Sequence, residues 1–264
     1  MKILITGNKG FIGQNMVNRL TKDHELYGYE LNMTDLPDVR GMDKVIHFGA
    51  ISSTTERDVD KIINVNLEFS RWLYEECCKH GVHFQYSSSA SVYGQTQHFT
   101  EDGPLRPESP YAWSKYLFDR WLWHEKVAHP ITVQGFRYFN VYGQHEDHKG
   151  DQASPIHKFA KQIKETGKLK LFEESENFWR DFVCVDDVVD IVLNNDKPSG
   201  IYDLGTSNPI TFQEVGELVA EKYNGTIEYI PFPEHLEGKY QEYTRAKREW
   251  GDYKFTTVKE YLQL

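Results

Sequence analysis

A tyrosine and a lysine four residues apart, Tyr111 and Lys115, are the pair in this chain best suited to proton transfer. On a helix this spacing places a phenol and an ammonium on one face. A phenol titrates at about 10 in water, but a neighbouring cation favours the phenolate and lowers its pKa by about 1–3 units. We therefore predict that Lys115 lowers the pKa of Tyr111, so that the phenol can exchange a proton with a sugar hydroxyl.

The spacing alone carries little information, because Tyr243 and Lys247 share it. That second pair lies in a C-terminal stretch without a supporting motif, and we interpret it as a solvated helix face. Tyr111 differs because an apolar run ending in Ser87–Ser89 precedes it. The carboxyl end of such a strand is where an open α/β sheet binds ligands, so Ser89 is predicted to meet Tyr111.

A glycine-rich turn opens the chain between a strand pattern and a helix pattern. Residues 2–6 predict a short buried strand, Gly7, Gly10 and Gly13 follow at intervals of three, and a helical pattern continues to Leu20. Glycines at this spacing allow a tight turn, close approach of a pyrophosphate and helix–sheet packing. The helix N-terminus adds amide donors for the phosphates. The sequence therefore predicts dinucleotide binding.

The remaining patterns alternate between strand and helix. Strands are predicted at 25–29, 44–48, 82–86, 131–136, 182–185 and 201–204, and helices at about 58–79, 111–127, 155–166 and, after a capping box at Thr211 and Glu214, to Tyr223. They predict an α/β fold, a Rossmann-like doubly wound parallel sheet with a smaller mixed α/β substrate-binding region. We assign 1–140, with return segments at about 182–206, to a dinucleotide-binding domain, and 141–181 with 207–264 to the substrate-binding region.

Composition excludes several classes of function. The 264-residue chain has a net charge of −10 and no dense Lys/Arg block, which argues against nucleic-acid binding. Cys77, Cys78 and Cys184 form neither a disulfide framework nor a spaced zinc site, which favours a reducing cytoplasm. No signal peptide or membrane span is predicted. Asp186 and Asp187 precede an apolar run and are interpreted as a helix cap, and no metal is assigned.

These residues together resemble the extended short-chain dehydrogenase/reductase superfamily, and most closely its ADP-L-glycero-D-manno-heptose 6-epimerases. The motifs that carry the superfamily resemblance are the glycine turn after Thr6, Ser89 with 90–94, Tyr111 with Lys115, and 137–143. Those that carry the closer resemblance are 52–56, 148–150, 171–173, 175–178, 180–182, 228–233 and 238–241.

The resemblance implies a bound NAD(P) cofactor, a nucleotide-sugar substrate and inversion of one sugar carbon by transient oxidation and re-reduction. It implies Tyr111 and Lys149 as two acid/base groups, Ser89 as a hydrogen-bond partner of the reacting oxygen, and Lys115 at the nicotinamide ribose. It further implies self-association and a role in lipopolysaccharide-core precursor synthesis.

Two sets of contact residues follow from these motifs. The cofactor set comprises Gly7, Lys9, Gly10, Phe11, Ile12, Gly13, Glu30, Asn32, Phe48, Gly49, Ala50, Ser52, Asn66, Ser87, Tyr111, Lys115, Val141 and Lys149. The substrate set comprises Ser53, Ser89, Asn140, Asp151, Phe172, Glu173, Ser175, Arg180 and Tyr240. Within the substrate set, Arg180 is expected to bind the diphosphate, because its fork donates to two oxygens at once.

Several alternatives stay open. Asp151 stands where the family carries a small hydroxyl residue, which admits another nucleotide-sugar 4-epimerase, a dehydratase or a reductase. Glu30 could accept a ribose 2′-hydroxyl and favour NAD, whereas Lys9 could bind a 2′-phosphate, and on balance NADP is favoured. Lys149 could be an ordinary solvated loop residue. A non-catalytic NAD(P)-binding sensor is the remaining alternative, against which the intact Ser89, Tyr111 and Lys115 set argues.

Overall fold

A computed structural model describes residues 1–20, 24–31, 35–53, 55–95, 104–123, 129–234 and 243–263. Its strands are β1 (Lys2–Thr6), β2 (Glu25–Tyr29), β3 (Lys44–His47), β4 (His83–Ser89), β5 (Val133–Tyr138), β6 (Asn140–Tyr142), β7 (Lys168–Phe172), β8 (Trp179–Arg180), β9 (Phe182–Cys184), β10 (Gly200–Leu204), β11 (Ile210–Thr211) and β12 (Thr226–Ile230). Its α-helices are α1 (Phe11–Leu20), α2 (Val59–Ile62), α3 (Phe69–His80), α4 (Pro110–Trp123), α5 (Pro155–Thr166), α6 (Val185–Asn194), α7 (Phe212–Tyr223) and α8 (Val258–Gln263). A π-helix spans Ile63–Glu68, and 3-10 helices span Ala90–Tyr93, Asp147–Gln152 and Ser175–Asn177.

Six strands form the central sheet in the order β10-β5-β4-β3-β1-β2. The pairs among β1 to β5 are parallel, with β1 between β2 and β3. The strand order therefore reverses at β1, and the carboxyl ends of β1 and β3 border the switch point at which such sheets bind ligands. The predicted α/β, Rossmann-like fold class is confirmed.

Two compact units each contain a hydrophobic core. The first comprises 1–92, 105–138 and 189–202, and the second 93–104, 139–188 and 203–264. Leu4, Val45 and Phe84 belong to the core of the first unit, and Leu169 and Val215 to that of the second. The predicted return segment at 182–206 differs from these units, because 182–188 lies in the second. The assignment of cofactor and substrate to the two parts stays a prediction.

Local signals place the helix ends well. In α7 the Thr211 side chain accepts the Glu214 amide while the Glu214 carboxylate accepts the Thr211 amide, which is the predicted capping box. In α5 Ser154 is the N-cap and Gly167 adopts a left-handed conformation at the C-terminus. Both helices end as the patterns predict.

The second unit contains pairings that the sequence analysis did not include. The strands β7 and β12 pair in parallel, β6 pairs in parallel with β9, and β8 pairs antiparallel with β11. These short strands lie far apart in sequence, so no local signal indicates which of them are partners.

Four predictions need correction. The helix expected at 58–79 is α2, a π-helix and α3 in succession. The strand expected at 82–86 is β4, which continues to Ser89 because Ser87–Ser89 pair with β5. The pair Tyr243 and Lys247 is not helical: Tyr243 bridges to Trp179, and the Lys247 amide donates to Asp203. The aspartates 186 and 187 lie inside the first turn of α6, whose Asp187 accepts the Thr256 amide at 2.7 Å.

Candidate active site

The glycine turn between β1 and α1 is closely packed. Gly7 has a φ of +69°, and a Cβ atom there would lie 2.7 Å from the Gly49 nitrogen. A Cβ atom on Gly13 would lie 2.1 Å from the Gly7 carbonyl oxygen. Only glycine fits these two positions, and the turn thereby brings backbone amides and the N-terminus of α1 to the switch point. This arrangement fits the pyrophosphate of a dinucleotide.

A buried histidine fixes the loop that follows β3. His47 Nδ1 lies 2.6 Å from Thr6 Oγ1, which accepts the Gly49 amide at 3.1 Å. His47 Nε2 lies 2.8 Å from Ser70 Oγ, whose hydroxyl donates to the Asn66 carbonyl. Burial, with a smaller contribution from Lys115, lowers the pKa of His47 to about 3. The ring is therefore neutral at pH 7 and can accept from Thr6 while donating to Ser70.

Asn66 links this loop to the helix of Tyr111. It is 1% exposed and lies in the π-helix, a distortion that is common at functional sites. Its side chain pairs with both backbone groups of Ile51, at 2.8 and 3.0 Å, and donates to Ser114 Oγ at 3.0 Å. These hydrogen bonds fix the loop after β3 relative to α4, and the predicted contact between Asn66 and the cofactor stays a prediction.

Glu30 lies directly after β2, beside the glycine turn. Its Oε1 accepts the Lys9 amide at 2.6 Å. This is the position from which an acidic residue accepts a ribose 2′-hydroxyl in dinucleotide-binding folds. Lys9 is exposed on the turn itself. A carboxylate and an ammonium therefore flank the same part of the turn.

The proton-transfer pair lies at the start of α4. Pro110 begins the helix, Tyr111 follows, and Lys115 is one turn further on, 5% exposed. Tyr111 is hydrogen-bonded to Ser89, as predicted. Lys115 Nζ donates to the Ser87 carbonyl oxygen at 2.8 Å. The end of β4 thus holds both side chains.

The predicted lowering of the Tyr111 pKa is wrong in direction. Burial raises the pKa of Tyr111 above its usual value, and the hydrogen bond from Ser89 lowers it by less. Burial also lowers the pKa of Lys115 to about 8, although Asp119 raises it. A lysine with this pKa is partly neutral near pH 8, so its electrostatic effect on the phenol is reduced.

Sequence reasoning missed Asp119, one turn beyond Lys115. This 2% exposed carboxylate accepts from Tyr86 at 3.0 Å, from Ser88 at 2.9 Å and from the Arg137 guanidinium at 3.1 Å. Burial raises the pKa of Asp119, and Arg137 lowers it. An aspartate four residues after Lys115 lies on the same helix face, and this spacing could have identified Asp119 as a neighbour of that lysine.

In the second unit, Lys149 lies on the Asp147–Gln152 helix, which is interrupted at Gly150. Its Nζ lies 3.2 Å from Oε2 of the buried Glu146. Asp151 is exposed, and its carbonyl oxygen accepts from Lys158 at 3.3 Å. The loop therefore carries one cation fixed by a buried anion and, two residues later, a carboxylate in solvent.

The other predicted contact residues of this unit, Val141 for the cofactor and the rest for the substrate, lie in strands and in the turn after β7. Asn140 and Val141 belong to β6, Phe172 ends β7, and Glu173 follows it. Ser175 is 2% exposed, and its hydroxyl has no hydrogen-bond partner among the residues that the structure describes. A buried hydroxyl without a partner is costly, so a ligand that supplied one would be stabilised there.

Arg180, which is predicted to bind the diphosphate, is buried and not open to solvent. It is 6% exposed, its guanidinium donates to the Trp179 carbonyl oxygen at 2.8 Å, and it stacks 5.4 Å from the centre of the Phe212 ring. Contact with a diphosphate stays a prediction.

The remaining predicted residues belong to the first unit or fall outside the description. Phe48, Gly49, Ala50, Ser52 and Ser53 lie in the loop after β3, and Phe11 and Ile12 open α1. Asn32 and Tyr240 lie outside the described residues. Within the described ranges, no cluster of three or more His, Cys, Asp or Glu side chains could hold a metal ion. No helix of the described chain is long and apolar enough to cross a membrane.

The glycine turn, the switch point and the arrangement of Ser89, Tyr111 and Lys115 are typical of enzymes that bind a nicotinamide dinucleotide on a Rossmann fold. The profile described as NAD dependent epimerase/dehydratase family matches residues 3–205, and the chain belongs to this family.

The chain is similar to ADP-L-glycero-D-manno-heptose-6-epimerase of Alkalilimnicola ehrlichii, with 39% identity over 282 aligned positions that cover 92% of this chain and 88% of that protein. The crystal structure of the enzyme of the same name from Helicobacter pylori is similar with a TM-score of 0.85 at 25% identity, covering 99% of this chain and 94% of that one. Thermus thermophilus UDP-glucose 4-epimerase, in complex with NAD, is similar with a TM-score of 0.73 at 28% identity, covering 88% and 86%.

Proposed function

We propose that this protein is a nucleotide-sugar epimerase that inverts C6 of an ADP-activated glycero-manno-heptose. The observation that carries the proposal is the Ser89–Tyr111 hydrogen bond beside the buried Lys115 at the end of β4. The 39% identity to an enzyme of that name supports the substrate. By resemblance, the product would serve lipopolysaccharide-core synthesis.

Tyr111 exchanges a proton with the hydroxyl on the carbon that is inverted. The glycine turn and Lys115 would hold a nicotinamide cofactor, which would supply reversible hydride transfer at that carbon. Because burial raises the pKa of Tyr111, the phenol is protonated at neutral pH and is suited to act as the acid when the ketone is reduced. Ser89 orients the phenol and the reacting oxygen. Lys115, fixed by the Ser87 carbonyl oxygen, would contact the ribose of the cofactor.

Lys149 is the second acid/base group. A group that reaches one face of a ketone does not serve the opposite face, so inversion calls for two. The 3.2 Å contact with Glu146 holds the Lys149 ammonium in a defined position, as a proton donor requires. Lys149→Met should abolish net epimerisation while retaining part of the hydride-transfer activity on a 6-aldehyde analogue of the substrate, and epimerisation at the wild-type rate would return Lys149 to the role of a solvated loop residue.

A second candidate is epimerisation, dehydration or reduction of another nucleotide sugar. The exposed Asp151 favours it, because the carboxylate replaces a small hydroxyl residue of the resembled family. Incubation of the purified protein with a panel of ADP-, UDP- and GDP-sugars, followed by NMR, separates the two. Inversion of the heptose at C6 supports the first proposal, and turnover of a different sugar alone overturns it.

The choice of cofactor is a finer proposal. The family binds NAD(P), and Lys9 led the sequence analysis to favour NADP. The Glu30 carboxylate at the Lys9 amide favours NAD instead, because a 2′-phosphate would meet a negative charge there. We therefore expect Glu30→Gln to raise the affinity for NADP relative to NAD and Lys9→Ala to lower it. If neither variant changes that ratio in titration calorimetry, the two residues do not select the cofactor.

We further propose a cytoplasmic location and self-association. The free thiols of Cys77 and Cys184 are buried, which is compatible with a reducing compartment. Light scattering on the purified protein tests self-association, and a monomer at micromolar concentration would contradict it.

A further inference from the structure

The carboxylate of Glu146 collects hydrogen bonds from both ends of the loop that carries Lys149. Its Oε1 accepts the Gly143 amide at 3.1 Å and the Ser154 hydroxyl at 2.7 Å. Its Oε2 accepts the Ser154 amide at 2.6 Å and the Lys149 ammonium at 3.2 Å. One side chain therefore closes the segment from residue 143 to residue 154.

This carboxylate is a fixed anion. The Glu146 side chain is 0% exposed, and three of its four hydrogen bonds come from groups that carry no charge. Burying a carboxylate is costly unless it is hydrogen-bonded and paired with a cation. Lys149, whose side chain is 22% exposed, supplies the cation.

Backbone hydrogen bonds also fix the position of Lys149 in the loop. The Lys149 amide donates to the Glu146 carbonyl oxygen at 2.9 Å, and the Ala153 amide to that of Gly150 at 3.1 Å. Gly150 adopts φ 52° and ψ −125°, which breaks the 3-10 helix directly after Lys149. Both the backbone amide and the ammonium of Lys149 are therefore hydrogen-bonded to Glu146, the amide to its carbonyl oxygen and the ammonium to its carboxylate.

We propose that Glu146 is a positioning residue for Lys149, whose side chain it holds in place. The inference rests on the proposed role of Lys149 as second acid/base group. Glu146 belongs to neither set of predicted contact residues, and it acts through Lys149.

Several other titratable groups lie near the Glu146 carboxylate or on the same loop. Tyr261 faces Glu146, and burial raises the pKa of Tyr261 to about 12, with Cys184 and Glu146 adding to the increase. On the loop itself, Asp147 is exposed and lies 3.6 Å from the ring of His157 on α5. His145 and His148 are exposed neighbours in the chain. Each of these groups is unchanged in the variants below.

The test measures the half of the reaction that depends on Lys149. In the Tyr111→Phe background, reduction of a 6-aldehyde analogue of the ADP-heptose by added NADH or NADPH reports the Lys149 face. We expect Glu146→Gln in that background to slow hydride transfer on the order of 10²-fold at pH 7, since small displacements of a catalytic group have effects of this size. We expect this loss in kcat and not in KM, because Glu146 acts on the position of Lys149 and is not itself a predicted substrate contact.

Ser154→Ala is the matched control. It removes one hydrogen bond to Glu146 and the N-cap of α5, but it keeps the carboxylate. It should lower the melting temperature and leave kcat of the half-reaction nearly unchanged. If Glu146→Gln changes stability alone and leaves kcat and KM like those of Ser154→Ala, Glu146 is merely structural and the inference is wrong.

Lys149→Met in the same background distinguishes failure of the inference from failure of the proposed role of Lys149. If Lys149→Met keeps the full rate of the half-reaction, the role of Lys149 is wrong. If Lys149→Met loses that rate but Glu146→Gln keeps it, only the positioning role of Glu146 is wrong. Should Glu146→Gln fail to fold, Glu146→Asp keeps the charge but withdraws it by one methylene. A folded Glu146→Asp enzyme with the wild-type rate would also contradict the inference.

Discussion

Replacing Tyr111 by phenylalanine removes the hydroxyl group and little else. The ring can keep its place at the start of α4, and Lys115 keeps its hydrogen bond to the Ser87 carbonyl oxygen. If Tyr111 transfers the proton, the rate of epimerisation should fall by about 10²–10⁴-fold, the range for a lost acid/base group. Binding of the nicotinamide cofactor should be nearly unchanged.

The structure also bounds the effect of this substitution on stability. The lost hydrogen bond to Ser89 corresponds to about 0.5–1.5 kcal/mol of unfolding free energy. Ser89 Oγ still accepts from the amide and the hydroxyl of Ser91, at 3.2 and 3.0 Å, so it does not lose its last partner. For a chain of this size, a change of about 1 kcal/mol lowers Tm by about 2–4 °C.

The assay compares Tyr111→Phe with Tyr116→Phe. Tyr116 lies on the same helix and packs edge-on against Trp113, so it controls for the loss of a hydroxyl from α4. We expect full activity in the control and, in Tyr111→Phe, loss of inversion by NMR with a small decrease in Tm. More than about a tenth of the wild-type rate in a folded Tyr111→Phe enzyme would remove Tyr111 from the mechanism.

Three further predictions concern the cofactor, a buried lysine and a buried serine. The protein should purify with a nicotinamide dinucleotide bound, since a cofactor regenerated in each cycle has no need to dissociate; denatured protein that releases none, by mass spectrometry, would contradict this. Because the pKa of Lys115 is lowered from 10.5 to about 8 in the folded chain, the unfolded chain binds more protons between these values, and the stability of the cofactor-free protein should rise from pH 8 to pH 10. Lys115→Met should lack this part of the rise in urea unfolding, and identical pH dependence would refute the shift. Ser175→Ala should raise the free energy of unfolding without ligand and weaken substrate binding, and unchanged KM would exclude contact between substrate and this hydroxyl.

The sequence by itself determined the features that depend on neighbouring residues. The glycine spacing after β1 follows from backbone that no other residue can adopt, as Gly7 and Gly13 show. The limits of α5 and α7 follow from caps within four residues of each helix end. The relation of Tyr111 to Lys115 follows from helix geometry. The position of Ser89 at the carboxyl end of β4 follows from the apolar run that precedes it.

Tertiary structure alone decided the features that depend on burial and on distant partners. The sign of the Tyr111 shift was mispredicted because spacing reveals a nearby cation but not the desolvation that outweighs it. Tyr243 and Lys247 have the spacing of a helix face, yet Tyr243 forms a parallel β-bridge with Trp179. The two bridged residues are 64 positions apart, so no local sequence pattern indicates that they pair.

The two buried carboxylates illustrate the same limit. Asp119 joins two strands to α4, and Glu146 joins residues 143, 149 and 154, through oxygen atoms whose partners are set by the folded backbone. In the sequence each is one acidic residue among 40 in the aspartate and glutamate total, with nothing to mark it as buried. The chain therefore specifies which groups can do the chemistry, whereas the surroundings that set their protonation and position arise only when distant segments pack together.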